Sequence, residues 1–154
     1  MIVAKLPLER MDGLLLLLSQ MHNEIGHFDL DAKRMEKSVR DTLKNGHVLG
    51  LWNENKSLIG SIGLYWFRPW YTEQTVLADR WVYVDEKFRS FKAFDTLMQA
   101  AIDTAALNAL PLIIQLHSVK DTARKEFLFE KYLKQTSRAY NIDATQSGGA
   151  FLHN

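Results

Sequence analysis

Cysteine is absent from the 154 residues of the chain. That absence excludes a disulfide framework, a thiolate-ligated zinc site and thiol catalysis. It fits a reducing compartment, and the cytoplasm is the expected location. Three prolines and eight glycines are too few for a flexible linker or a low-complexity tract. An excess of one charge is missing as well: 19 Lys and Arg stand against 18 Asp and Glu, a formal net charge of +1. This balance removes the global electrostatic case for nucleic acid or an anionic membrane as a partner. Long hydrophobic runs are lacking too. The most apolar stretch is the five leucines at 14–18, whereas a membrane-spanning helix takes about 20 apolar residues. The charged start, longer apolar core and small-residue cleavage site of a signal peptide are not found either. What is present is an ordinary globular composition, 47% apolar and 24% charged. It argues against disorder and is enough for one domain over residues 1–154 with a real core.

Hydrophobic period divides the chain. Residues 2–6 read as a short strand. Over residues 8–25 the apolar side chains Met11, Leu14, Leu15, Leu18, Met21 and Ile25 recur at the spacing of one helix face, and Gly26 can end that helix. A second helix is predicted over residues 31–45, with Met35, Val39 and Leu43 inward and Asn45-Gly46 closing it. The period then drops to two. Residues 47–52 and 57–66 read as strands around a turn at Asn53-Glu54-Asn55, Arg68-Pro69 breaks the second, and residues 75–84 form a third. Gly60 and Gly63 mark a bulge or a close backbone approach in the middle strand. Trp81-Val82-Tyr83-Val84 is apolar on both faces, which places its strand centrally.

A long helix follows over residues 90–108, on the stripe Phe91, Phe94, Leu97, Met98, Ala101, Ile102 and Ala105. Pro111 then opens a buried strand at 112–116. A strand, a helix and a strand of this size make a right-handed crossover, so 75–84 and 112–116 should run parallel. A short helix at 121–132 and strands at 134–142 and 150–153 complete the reading. The result is an α/β domain on a mixed, mostly antiparallel sheet, in the order β-α-α-β-β-β-α-β-α-β-β.

Two stretches carry a family likeness. Leu58-Ile59-Gly60 is similar to the apolar pair and glycine that follow the hairpin in GNAT-superfamily N-acetyltransferases, which use acyl-CoA. Ala78-Asp79-Arg80-Trp81-Val82-Tyr83-Val84-Asp85-Glu86-Lys87-Phe88-Arg89 resembles their central strand and the segment that enters the pyrophosphate loop. Leu97-Met98 falls where the family has paired apolar residues on the next helix. The likeness covers nearly the whole chain. Its paired aromatics and sparse glycine resemble divergent members found in bacteriophage genomes.

The resemblance implies acetyl-CoA as co-substrate and a small-molecule or protein amine as acceptor. It implies that the main chain of Val82, Tyr83 and Val84 pairs with the pantetheine arm. A strand splayed at a bulge offers unpaired N–H and C=O groups to such an amide-bearing arm. It also implies that the turn Arg89, Ser90, Phe91, Lys92, Ala93 and Phe94 holds the pyrophosphate. Physically, a helix start presents unpaired amides and partial positive charge to an anion. With Ser90 as N-cap, the amides of Phe91, Lys92, Ala93 and Phe94 would serve, and Arg89 and Lys92 would add charge. Asp79 stands where the family often has a carboxylate at the start of this strand, and it is the candidate base for the attacking amine. The structural alternative for Asp79 is an ion pair with Arg80 or Arg68. The candidate acid for the leaving thiolate is Tyr132 or Tyr83.

The chain departs from the family in two places. Lys92 and Phe94 replace the loop glycines, which allow φ > 0 and a close approach of phosphate to backbone. Phe129, in Leu128-Phe129-Glu130-Lys131, replaces the usual tyrosine acid. These departures keep a second reading open, a catalytically inactive GNAT-fold protein that serves as a protein-interaction module. A third reading is acetylation of a modified nucleobase or a tRNA-linked amine.

Among the five histidines, His22, His27, His47, His117 and His153, no metal-ligand spacing occurs, so no metal is expected. His117 ends a parallel strand, where open α/β sheets place ligands, and is a further candidate base. The aromatic stretch Tyr65-Trp66-Phe67-Arg68-Pro69-Trp70-Tyr71 reads as core packing or a homodimer face. Base stacking and the wall of an acceptor pocket are its alternatives.

Overall fold

Alternating apolar residues between 47 and 84 fold into three antiparallel strands that organise everything else. The computed structural model describes residues 1–26, 28–115 and 130. Strand β1 (Ile2–Lys5) is followed by a 3-10 turn at Leu8–Arg10 and by helices α1 (Met11–Ile25) and α2 (Ala32–Asn45). Strands β2 (His47–Trp52), β3 (Leu58–Phe67) and β4 (Val76–Val84) come next. A 3-10 turn at Glu86–Phe88 leads to α3 (Phe91–Leu107) and then β5 (Leu112–Ile113). The strands form one sheet in the order β1-β2-β3-β4-β5. Neighbours are antiparallel except β4 and β5, which are parallel as the crossover demands. This is the mixed, mostly antiparallel α/β architecture. The helix expected at 121–132 and the strands expected at 134–142 and 150–153 lie outside the described residues.

Local chemistry sets the helix ends. Gly26 takes the left-handed conformation (φ 61°) and its N–H bonds the His22 carbonyl, a turn that favours glycine. The Asp31 carboxylate accepts the Arg34 amide at 3.0 Å and so caps α2. Ser90 does the same for α3, accepting from Ala93 N–H at 3.0 Å. The first helix begins later than its apolar period predicts, because the three residues after Pro7 wind as a 3-10 turn.

Period-two alternation feeds two cores, one on each face of the sheet. Leu49, Leu51, Ile62, Leu64, Leu77 and Val84 pack under Ala93, Leu97, Ala101 and Ala105 of α3. On the other face Val48 and Trp81 meet Leu14 and Leu18 of α1 and Val39 of α2. Thr42, not Leu43, is the other fully buried position of α2. Arg80 explains it: its Nη1 donates to Thr42 Oγ1 at 2.9 Å and to Ser38 O at 3.2 Å, while its guanidinium lies 4.4 Å from the Tyr65 ring centroid. Thus Arg80 pairs with α2, and Arg68 pairs with Glu73 at 3.3 Å.

The aromatic stretch is not core. Trp66, Phe67, Trp70 and Tyr71 are exposed, Trp70 at 95%. Trp66 turns its indole N–H to the Asn45 carbonyl at 2.8 Å, and Trp70 meets Tyr71 edge-on at 5.7 Å. Trp66 and Phe67 are the last residues of β3, and Trp70 and Tyr71 lie on the turn that follows it.

Candidate active site

The site grows from the place where β4 leaves β5. Leu77 gives its amide to Pro111 O at 2.9 Å, and the register pairs Leu77 with Leu112 and Ala78 with Ile113. At the next residue a side chain takes over from the ladder: Asp79 Oδ1 accepts the Gln115 amide at 2.7 Å. Asp79 is only 4% exposed. A carboxylate in this position satisfies a backbone donor without continuing the sheet, so it acts as a spacer between the strands. Among the described residues, β4 and β5 have no paired positions beyond Ala78.

On the other side β4 bulges. Leu64 faces Asp79 and Gly63 faces Trp81, which leaves Arg80 as the extra residue. Gly63 is needed here, because a Cβ at that position would stand 2.4 Å from the Trp81 indole. The indole N–H donates to Ser61 Oγ at 3.1 Å, and that hydroxyl donates to Leu49 O at 2.9 Å. The buried chain fixes the ring and, with it, the course of β4.

Past the bulge, Asp85 gives its amide to Ile59 O at 2.8 Å. Backbone groups alternate between the two edges of a strand. Val84 and Val82 therefore turn their N–H and C=O toward the β5 side, where β4 has no paired position among the described residues beyond Ala78. Tyr83 faces β3 with its backbone, opposite Ser61, and sends its side chain toward α1.

Tyr83 belongs to a cluster that its neighbours in sequence do not reveal. Its hydroxyl donates to Glu24 Oε1 at 2.5 Å. The other oxygen of Glu24 accepts from Arg89 Nη2 at 2.5 Å, and Arg89 Nε donates to Val84 O at 2.9 Å. The Arg89 guanidinium sits 5.4 Å from the Tyr83 ring centroid. Burial, helped by the bond to Glu24, pushes the Tyr83 phenol well above the ordinary tyrosine range. The hydroxyl therefore stays protonated as a hydrogen-bond donor to Glu24, and it is a weaker acid than an ordinary tyrosine. Glu24 escapes a sequence reading because 59 residues separate it from Tyr83. One weak signal exists, a carboxylate in the last turn of a helix, where the dipole disfavours it.

The turn at Arg89–Phe94 is helical where the family's pattern has glycine. Lys92 and Phe94 both lie in the first turn of α3. The only non-glycine residues with positive φ among those described are Lys56 and Ala109, so the loop needs no glycine for its backbone path. Of the four first-turn amides, Ala93 N–H is taken by Ser90 Oγ and Phe94 N–H by Ser90 O at 3.2 Å. That removes two from service to an anion. Phe91 is exposed at 46%. Tyr132, Phe129 and His117 lie outside the described residues. Among the described residues no three His, Asp or Glu side chains come together as a metal site, and no helix is long and apolar enough to cross a membrane.

Comparison with known proteins gives the same fold. No curated protein matches the chain. Among solved structures, a probable acetyltransferase shares 19% identity at a TM-score of 0.72, over 93% of this chain and 97% of that one. A ribosomal-protein-alanine N-acetyltransferase from Brucella melitensis biovar Abortus 2308 shares 15% at 0.69, over 92% and 96%. An aminoglycoside acetyltransferase from an uncultured soil metagenomic sample, in complex with sisomicin, shares 16% at 0.63, over 92% and 95%. At such identities the likeness is one of fold. The model of the acetyltransferase (GNAT) family matches residues 15–134, and the chain belongs to that family.

Proposed function

We propose that the protein moves an acetyl group from acetyl-CoA to a primary amine. The observation that carries this reading is that, among the described residues, the pairing of β4 with β5 ends at Ala78, with Asp79 holding the Gln115 amide. An amide-bearing arm needs main-chain donors and acceptors, and Val82 and Val84 turn theirs to that side. The pyrophosphate would lie at Arg89–Phe94, with Arg89, Ser90, Phe91, Lys92, Ala93 and Phe94 around it. Lys92 and Arg89 supply charge there in place of close glycine backbone.

In the reaction the amine nitrogen bonds to the thioester carbon. The amine proton passes to Asp79, directly or through water. The tetrahedral intermediate then collapses, the C–S bond breaks, and the thiolate takes a proton from Tyr83 or Tyr132. The product is the acetylated amine and CoA. One named relative acts on ribosomal-protein alanine and another on aminoglycosides, so both a protein and a small molecule suit the acceptor role. The absence of cysteine supports a cytoplasmic setting.

Calorimetric titration with acetyl-CoA tests this. Binding is expected, and no heat at millimolar ligand would remove the enzyme. The capped amides of Ala93 and Phe94 favour a second reading, a GNAT-fold scaffold that binds another protein. Lys92→Gly with Phe94→Gly separates the two. A large gain in CoA affinity over a non-binding parent would mean that the natural turn had given up the cofactor.

A further inference from the structure

Glu24 is a carboxylate that the reaction above leaves without a task. It stands in the last turn of α1, against the helix dipole, and accepts from both Tyr83 Oη and Arg89 Nη2. Arg89 meanwhile gives Nε to the Val84 carbonyl at 2.9 Å. One guanidinium thus joins the end of α1 to an acceptor on the β5-facing side of β4. That carbonyl is one that an amide-bearing arm would use, and Arg89 is a cation that a pyrophosphate would use. Occupied as it is, Arg89 serves neither.

We infer that Glu24 is a positioning residue for the acyl-CoA site: it holds Arg89 across the Val84 carbonyl, and a phosphate-bearing ligand takes Arg89 from both partners as its arm seats on β4. The inference rests on the acyl-CoA reading above. Magnitudes allow the exchange. The side chains of Arg89 and Glu24 are 33% and 24% exposed, and a part-exposed ion pair changes an equilibrium constant by only about two- to fivefold. A pyrophosphate brings more charge and more acceptor oxygens to the same fork of donors. The contact therefore restrains Arg89 without locking it.

Glu24→Gln is the discriminating variant, because its amide oxygen can still accept from Tyr83 while the charge that holds Arg89 is gone. Titrated with CoA, E24Q should bind about two- to fivefold more tightly than the parent chain. In an Arg89→Gln background the same substitution should have no effect, since the group it releases is absent. E24Q that keeps the parent melting temperature but binds CoA no better overturns the inference, as does a gain that persists without Arg89. Should E24Q fail to fold, a crystal structure of the parent chain with CoA decides. Arg89 lifted from both Val84 O and Glu24 supports the inference, and Arg89 still on both overturns it. If neither the parent nor E24Q binds CoA at millimolar concentration, the acyl-CoA reading itself falls and takes this one with it.

Discussion

Asp79 has a structural duty, and the proposed reaction would give it a chemical one as well. Its Oδ1 holds the Gln115 amide from a site that is 4% exposed. Asp79→Asn keeps an oxygen for that amide but no longer a base. The variant should fold with a near-parental urea midpoint while kcat drops by about 10²–10⁴. Full activity in Asp79→Asn would move the base elsewhere. His47 makes a different prediction. Its ring lies 5.5 Å from Trp66, and burial, with Lys5 nearby, holds its pKa below the ordinary 6.5. The unfolded chain therefore binds a proton near pH 6.5 that the folded chain refuses. Stability is complete above that pH and is lost as pH falls from 6.5 toward the folded value. Urea unfolding between pH 7 and 5 should show this loss, and His47→Gln should lessen it. Equal pH slopes for the two proteins would refute the assignment.

At the scale of elements, the bulge at Arg80 depends on the fit between β3 and a ring. Gly63 leaves room for the Trp81 indole, which is itself tied through Ser61 to Leu49. Gly63→Ala would place a methyl 2.4 Å from that buried ring. The ring cannot swing away without breaking its bond to Ser61. We expect a loss of about 1–3 kcal/mol in chemical denaturation, the usual cost of overpacking. Weaker CoA binding should follow, because Trp81 and Val82 are consecutive on β4. A Gly63→Ala protein of unchanged stability would mean that the bulge tolerates a shifted indole. Most element boundaries were legible beforehand. The alternation in 47–84, the Asp31 and Ser90 caps and the Gly26 stop are local signals, and local signals act through backbone geometry that each segment carries with it.

The described part of the molecule joins a sheet with separate cores on its two faces to the edge of β4 that is proposed to bind acyl-CoA. A ligand bound only by the folded chain raises the melting temperature by mass action. Acetyl-CoA at a hundredfold excess over its Kd should raise it by about 5–10 °C, and a flat melting curve under those conditions would count against an acyl-CoA site. The same scale explains the aromatic stretch. Its residues have the composition of a core, yet Trp70 and Tyr71 are exposed at 95% and 74%. Composition is silent on whether any element passes over a loop.

Sequence by itself determined the α/β class, the element order through the parallel crossover and the likeness to acetyltransferases. These follow from hydrophobic period, capping residues and a contiguous motif, all short-range along the chain. The sequence led us to expect Asp79 at the start of its strand, whereas Asp79 lies within β4 (Val76–Val84). Only the tertiary structure decided that Asp79 ends the β4–β5 ladder through Gln115, that Arg80 answers Thr42, and that Glu24 gathers Tyr83 and Arg89. Each of these contacts joins residues from 36 to 65 positions apart. Partners so distant are chosen by how helices settle on a twisted sheet, and no pattern within either segment records that choice.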